Sequence, residues 1–127
     1  MDQPTRIRVV VVDDHPMVRM SLRMALLAAQ DIDVVGEAAD GEGALQICAD
    51  LHPEVVLMDL QLPGLDGVGA IRALQRQQPT PNVVVLTAFY DEHLIPEALA
   101  AGAHGYVLKQ GELQEIIGAI RAARQRY

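Results

Sequence analysis

Five side chains in this sequence are of types that do chemistry when brought together: Asp13, Asp14, Asp59, Thr87 and Lys109. Each closes a short apolar run. "IRVVVV" leads into Asp13 and Asp14, "EVVLM" into Asp59, "NVVVL" into Thr87 and "GYVL" into Lys109. Adjacent carboxylates at the edge of an apolar run repel each other and resist desolvation. A cation relieves both problems. Hard oxygen donors in a partly hydrated site suit Mg²⁺, which takes one or two carboxylates, waters and often a phosphate. A carboxylate beside Mg²⁺ and a lysine can attack phosphorus and form an acyl phosphate. The metal and the ammonium would neutralise charge on the transferring group, and Thr87 would hydrogen-bond one of its oxygens.

That chemistry requires the five residues to share one edge of the fold. Runs at 7–12, 32–38, 54–59, 82–88 and 105–109 read as strands rich in Val, Ile and Leu. Helical patterns lie between and after them, at 16–29, 42–51, 67–77, 96–101 and 112–124. Alternating strands and helices, with strands apolar on both faces, predict a parallel sheet covered on both sides. In such a sheet ligands sit at the carboxyl ends of the strands, and there the five residues fall. Pro16 suits a first helical position. Gly64 and Gly67 in "PGLDG" are expected to supply unusual turn angles, with Asp66 starting the third helix. Gly102 is expected to end the fourth helix. That helix is expected to begin near Pro96, or to kink or fray before it, because proline disfavours helix at Ile95. In the last helix, Arg121, Arg124 and Arg126 lie late and complement its dipole.

The 127 residues suit one domain, 1–127, and the 50% hydrophobic content suits a real core. One cysteine, Cys48, excludes an intramolecular disulfide and fits a reducing compartment. The start, "MDQPTRIRVV", lacks the apolar region of a signal peptide, and no run approaches the ~20 residues of a membrane span. The expectation is a cytoplasmic protein without membrane contact. A net charge of −7 argues against nucleic-acid binding by this chain, since phosphate backbones reward clustered Lys and Arg.

The segments "VVDDHPMVR" (11–19), "VVLMDLQLPGLDG" (55–67), "VVVLTA" (83–88) and "AGAHGYVLK" (101–109) carry a family likeness. Through them the chain resembles, over essentially its whole length, the receiver domain of bacterial two-component response regulators. "DDHP" and "GYVLK" look most like the branch with a C-terminal LuxR-type helix-turn-helix domain. The resemblance implies an α/β fold, a three-layer doubly wound five-stranded parallel sheet of flavodoxin-like (βα)5 form. It implies that Asp59 accepts the phosphoryl group. Asp14 would bind Mg²⁺ directly, Asp13 mostly through water, and the Gln61 carbonyl would complete the protein ligands. Lys109 would pair with the phosphoryl group, Thr87 would move toward it, and Tyr106 would be the aromatic switch behind Thr87. The implied partner is a sensor histidine kinase. Homodimerisation on phosphorylation is open, and DNA would be bound only by a further domain. The implied activity is a signalling switch with self-phosphorylation chemistry, not an enzyme for outside substrates. One departure is Gln110, which follows Lys109 where many members have a proline with a cis bond; a non-proline cis bond costs about 3 kcal/mol.

Two alternatives come from other classes. An interaction-only domain would keep the residues without cycling phosphate. A Mg²⁺-dependent phosphohydrolase of haloacid-dehalogenase type would place its nucleophile at the end of the first strand, with a second acid two residues later. The adjacent acids followed by His15 and Pro16 count against it. A flavin reading is weaker, since the carboxylates closing the first strand would repel a phosphate. His15, His52, His93 and His104 share no metal-ligand spacing, although His15 adjoins the site through Asp14. Cys48 reads as core packing beside Leu45, Ile47 and Leu51. On the first helix, Met17, Met20, Met24 and Leu27 form a second apolar stripe. Either it is partly exposed and docks a partner helix, or it packs against the last helix.

Overall fold

The computed structural model describes residues 6–124. Five strands form one parallel sheet: β1 (Ile7–Val12), β2 (Ile32–Ala38), β3 (Val55–Asp59), β4 (Asn82–Thr87) and β5 (Gly105–Leu108). Helices α1 (Pro16–Leu26), α2 (Gly41–Leu51), α3 (Gly67–Leu74), α4 (Leu94–Ala101) and α5 (Leu113–Arg124) alternate with them. The strand order is β2-β1-β3-β4-β5, the doubly wound order expected. Arg126 and the first five residues lie outside the described residues.

The alternation of side chains along each strand divides the core in two. Val10, Val12, Val56, Met58, Val83 and Val85 face α2, α3 and α4. Val9, Val11, Val55, Leu57, Val84 and Leu86 face α1 and α5. All twelve are buried, which is why the central strands are apolar without alternation. Cys48 lies in the first of these layers, and burial pushes its thiol up to about 12.

Several boundaries differ from the sequence expectation for physical reasons. Pro16 stands at the first position of α1, but the helix ends at Leu26 rather than residue 29. The third helix likewise stops at Leu74, three residues short of the expected end. The α4 helix begins at Leu94, two residues before Pro96. Asp91 Oδ1 accepts from the amides of His93 and Leu94, both at 2.8 Å, and so starts the turn. Pro96 then falls among the first four amides, which have no partner within the helix anyway. Gly64 has the expected positive φ of 72°, but Gly67 does not. Gly67 is needed for space: a Cβ there would lie 2.6 Å from the Leu60 Cα. Asp66 caps α3 by accepting from the Gly69 amide at 2.7 Å, and Gly102 closes α4 with φ 124°. The Lys109–Gln110 bond is trans, the one cis bond among the described residues being Gln78–Pro79. Met17, Met20, Met24 and Leu27 are all exposed, so the stripe does not pack against α5.

Candidate functional site: an acidic rim with one lysine

The site is assembled by strand ends. Parallel pairing sets β1 beside β3 with Val12 opposite Met58, and β3 beside β4 with Asp59 opposite Leu86. A register irregularity between Val9 and Val10 brings Val12 opposite Ala38 on β2. The Asp13 amide then donates to the Ala38 carbonyl at 3.1 Å, which holds Asp13 at the rim directly after β1. Arg19, one turn into α1, donates from Nη1 to the Asp13 carbonyl at 2.6 Å. Its Nε pairs with Glu37 at 3.1 Å, and Arg23 pairs with the same carboxylate at 2.6 Å. The acid pair is thus fastened from β2 and α1 together.

Asp13 is fully buried and Asp59 is 5% exposed. Lys109, half-buried, reaches between them from the end of β5. Its Nζ donates to Asp59 Oδ2 at 3.0 Å and lies 2.8 Å from Asp13 Oδ2. At 2.8 Å the Lys109 ammonium and the Asp13 carboxylate form a close ion pair. Burial pushes the Asp13 carboxyl up, but the Lys109 ammonium and the His15 amide and ring outweigh it and hold the group below its usual value. Burial likewise pulls Lys109 down, and the Asp13 and Asp59 carboxylates more than reverse this. The remaining Asp59 oxygen, Oδ1, accepts from the Gln61 amide at 3.0 Å.

His15 belongs to the same cluster. Its amide donates to Asp13 Oδ1 at 2.9 Å. Its Nδ1 lies 3.0 Å from Asp13 Oδ1 and 3.0 Å from Asp14 Oδ1. One donor atom from each of Asp13, Asp14, His15 and Asp59 falls within 4.8 Å of the others. Spacing alone did not find His15, because its ring reaches the acids through a tight turn rather than through helical or strand periodicity. Neither acid caps α1, whose N-cap is His15.

Thr87 ends β4 at the rim and Tyr106 lies within β5, and neither contacts the acids in a hydrogen bond. Thr87 Oγ1 donates to the Phe89 carbonyl at 2.9 Å. Tyr106 is 42% exposed and stands edge-on to Tyr90, with ring centroids 5.5 Å apart.

The donor set fits a divalent cation. Three carboxylates face one ammonium, so negative charge is in excess. Carboxylates and a lysine gathered at the strand ends of a doubly wound parallel sheet define the class, an α/β domain with its polar site at the switch point. Comparison with known proteins gives the family. The response regulator receiver domain family matches residues 9–121, and the chain belongs to that family. It is 44% identical to the transcriptional regulatory protein LiaR of Bacillus subtilis (strain 168), over 92% of this chain and 56% of LiaR. It is 42% identical to the response regulator GacA of Pseudomonas aeruginosa, over 95% of this chain and 58% of GacA. The chain therefore spans little more than half the length of these relatives. The signal receiver domain of the putative response regulator NarL from Mycobacterium tuberculosis superposes with a TM-score of 0.90 at 35% identity, over 97% of this chain and 100% of that one. Membership sets aside the phosphohydrolase and flavin alternatives. Response regulators are signalling proteins. No helix among the described residues is long and apolar enough to cross a membrane.

Proposed function

We propose that residues 1–127 act as one cytoplasmic receiver domain that accepts a phosphoryl group on Asp59 from a phosphohistidine of a sensor histidine kinase. The observation that carries this reading is Lys109 Nζ lying against both Asp59 Oδ2 and Asp13 Oδ2. A carboxylate oxygen of Asp59 attacks phosphorus, the phosphorus–nitrogen bond of the donor breaks, and the leaving imidazole takes up a proton from water. Lys109 then turns from the Asp59 carboxylate to the phosphoryl oxygens. Asp14, Asp59 and the Gln61 carbonyl would hold Mg²⁺, with Asp13 acting through water. Bound there, the ion supplies positive charge against the oxygens of the transferring group. Hydrolysis of the acyl phosphate by water resets the domain.

The switch follows from the two residues that stand off the acids. Thr87 exchanges the Phe89 carbonyl for a phosphoryl oxygen, and Tyr106 turns inward behind it. The surface of α4, β5 and α5 changes accordingly. Transcriptional output, through a DNA-binding domain beyond this chain, is suggested by the name of the LiaR relative. Homodimerisation is a second route by which the changed surface can act. The exposed Met17, Met20 and Met24 stripe, beside a cavity of about 380 Å³ that reaches the Lys109 stem, offers a docking face for the kinase.

The test is incubation with Mg²⁺ and acetyl phosphate, followed by mass measurement of the parent and of Asp59→Asn. One phosphoryl group is expected on the parent alone. Labelling of both would move the site from Asp59. Labelling of neither, with any donor, would favour an interaction-only domain.

A further inference from the structure

The imidazole of His15 sits where a metal ligand would sit. Two donor atoms on adjacent corners of an octahedron, each ~2.1 Å from the ion, are about 3.0 Å apart. His15 Nδ1 is at that separation from Asp14 Oδ1, the acid read as a direct ligand, and it lies at hydrogen-bond distance, 3.0 Å, from Asp13 Oδ1, the acid read as acting through water. Asp59 offers a further oxygen within 4.8 Å of these atoms. The fully buried Asp13 carboxylate, whose other oxygen pairs with Lys109 at 2.8 Å, borders the same cluster. The backbone fixes the arrangement. His15 is the residue before Pro16, which keeps it extended, at φ −98° and ψ 111°, and its amide is tied to Asp13 Oδ1. The ring itself is exposed, its side chain 66% accessible, so it can adjust around an ion of either size.

Resting on the proposed reading of the acidic rim as a divalent-cation site, we propose that His15 Nδ1 is an additional, nitrogen ligand of that site. It tilts the site's selectivity from Mg²⁺ toward divalent transition metals. Oxygen donors alone favour hard ions such as Mg²⁺, whereas an imidazole nitrogen adds affinity for Mn²⁺, Fe²⁺, Ni²⁺ or Zn²⁺ and little for Mg²⁺. The tautomer with its proton on Nε2 presents the Nδ1 lone pair to the ion. The other tautomer donates from Nδ1 to the two carboxylates. His15 thus satisfies the acids with or without a cation.

The experiment uses the untagged chain near pH 7.5. Calorimetric titration with Ni²⁺ and, separately, Mg²⁺ compares the parent with His15→Phe and Asp14→Asn. His15 makes no side-chain cap to α1, so its replacement removes none. The expected result is Ni²⁺ binding that Asp14→Asn abolishes and His15→Phe weakens by about tenfold more than it weakens Mg²⁺ binding. Pulsed electron paramagnetic resonance of the Mn²⁺-loaded parent is expected to show ¹⁴N coupling from a directly bound imidazole, lost in His15→Phe. Equal changes for Ni²⁺ and Mg²⁺, or no ¹⁴N coupling in the parent, would overturn the assignment of His15 while leaving the oxygen site standing. Ni²⁺ and Mg²⁺ binding indifferent to Asp14→Asn would overturn both the assignment and the cation site beneath it.

Discussion

Lys109 and Asp59 are 50 residues apart in sequence, and their side chains meet at 3.0 Å. The same ammonium lies 2.8 Å from Asp13, so one lysine separates two buried carboxylates. Removing it leaves like charges facing each other out of water. In Lys109→Met without divalent ions, we expect a loss of about 1–3 kcal/mol in urea unfolding. That is below the ~3–5 kcal/mol of a fully buried pair, because Lys109 keeps some contact with water. Millimolar Mg²⁺ should restore part of it, stabilising the variant more than the parent. The same Mg²⁺ response in both proteins would show that the ammonium does not hold the acids apart.

The pairing of Asp13 with Lys109 has a defined pH window. Asp13 is held below its ordinary value of 3.8 in the fold, so its contribution is complete above that value and is lost as pH falls through the lowered one. Lys109 is held above 10.5, so its contribution is complete below that value and is lost as pH rises through the raised one. The stability difference between the parent and Lys109→Met should therefore be flat between roughly pH 5 and 9 and contract on either side. Denaturant midpoints across that range measure it. A difference that grew toward acid pH would contradict the sign.

Gly67 controls the backbone next to the acceptor. A Cβ there would meet the Leu60 Cα at 2.6 Å, the Leu60 oxygen at 2.7 Å and the Asp59 oxygen at 3.0 Å. None of these is the end of a flexible side chain. Gly67→Ala should cost about 1–3 kcal/mol and slow labelling of Asp59 by acetyl phosphate, because the residue after the acceptor must move. Gly118→Ala is the matched control. Nothing lies within 4 Å of the added carbon, and the helical position should gain about 0.5–1 kcal/mol with labelling unchanged. Slowed labelling in both variants would separate it from the Leu60 contact.

The strands and the rim were legible because two simple signals coincide there. Runs of Val, Ile and Leu mark the central strands buried on both faces, and the polar residues that close four of the runs mark their carboxyl ends. What was not legible depends on backbone geometry that residue type does not encode. Gly67 read as a turn angle but is a close approach. Pro96 read as a helix start, yet Asp91 starts the turn so that the helix begins at Leu94, two residues earlier, and proline falls where no amide is needed. His15 read as adjoining the site but without ligand spacing, because its ring meets the acids by doubling back over two residues. Arg19 and Glu37, which fasten the Asp13 carbonyl, lie 18 residues apart on different elements and carry no motif.

The resting position of Tyr106 makes the switch measurable. Its ring is 42% exposed and packs edge-on against Tyr90, while the Thr87 hydroxyl is committed to the Phe89 carbonyl. If Thr87 turns to a phosphoryl oxygen, space opens behind it, and an aromatic ring loses water contact by filling that space. The chain has no tryptophan and three tyrosines, so Tyr90→Phe with Tyr127→Phe leaves Tyr106 as its sole tyrosine reporter. Acetyl phosphate with Mg²⁺ should then lower the accessibility of that fluorescence to a soluble quencher. Thr87→Ala should accept phosphate yet leave Tyr106 as accessible as before, since the hydroxyl that couples the two is gone. Quenching that falls equally in Thr87→Ala would mean that Tyr106 moves independently of Thr87.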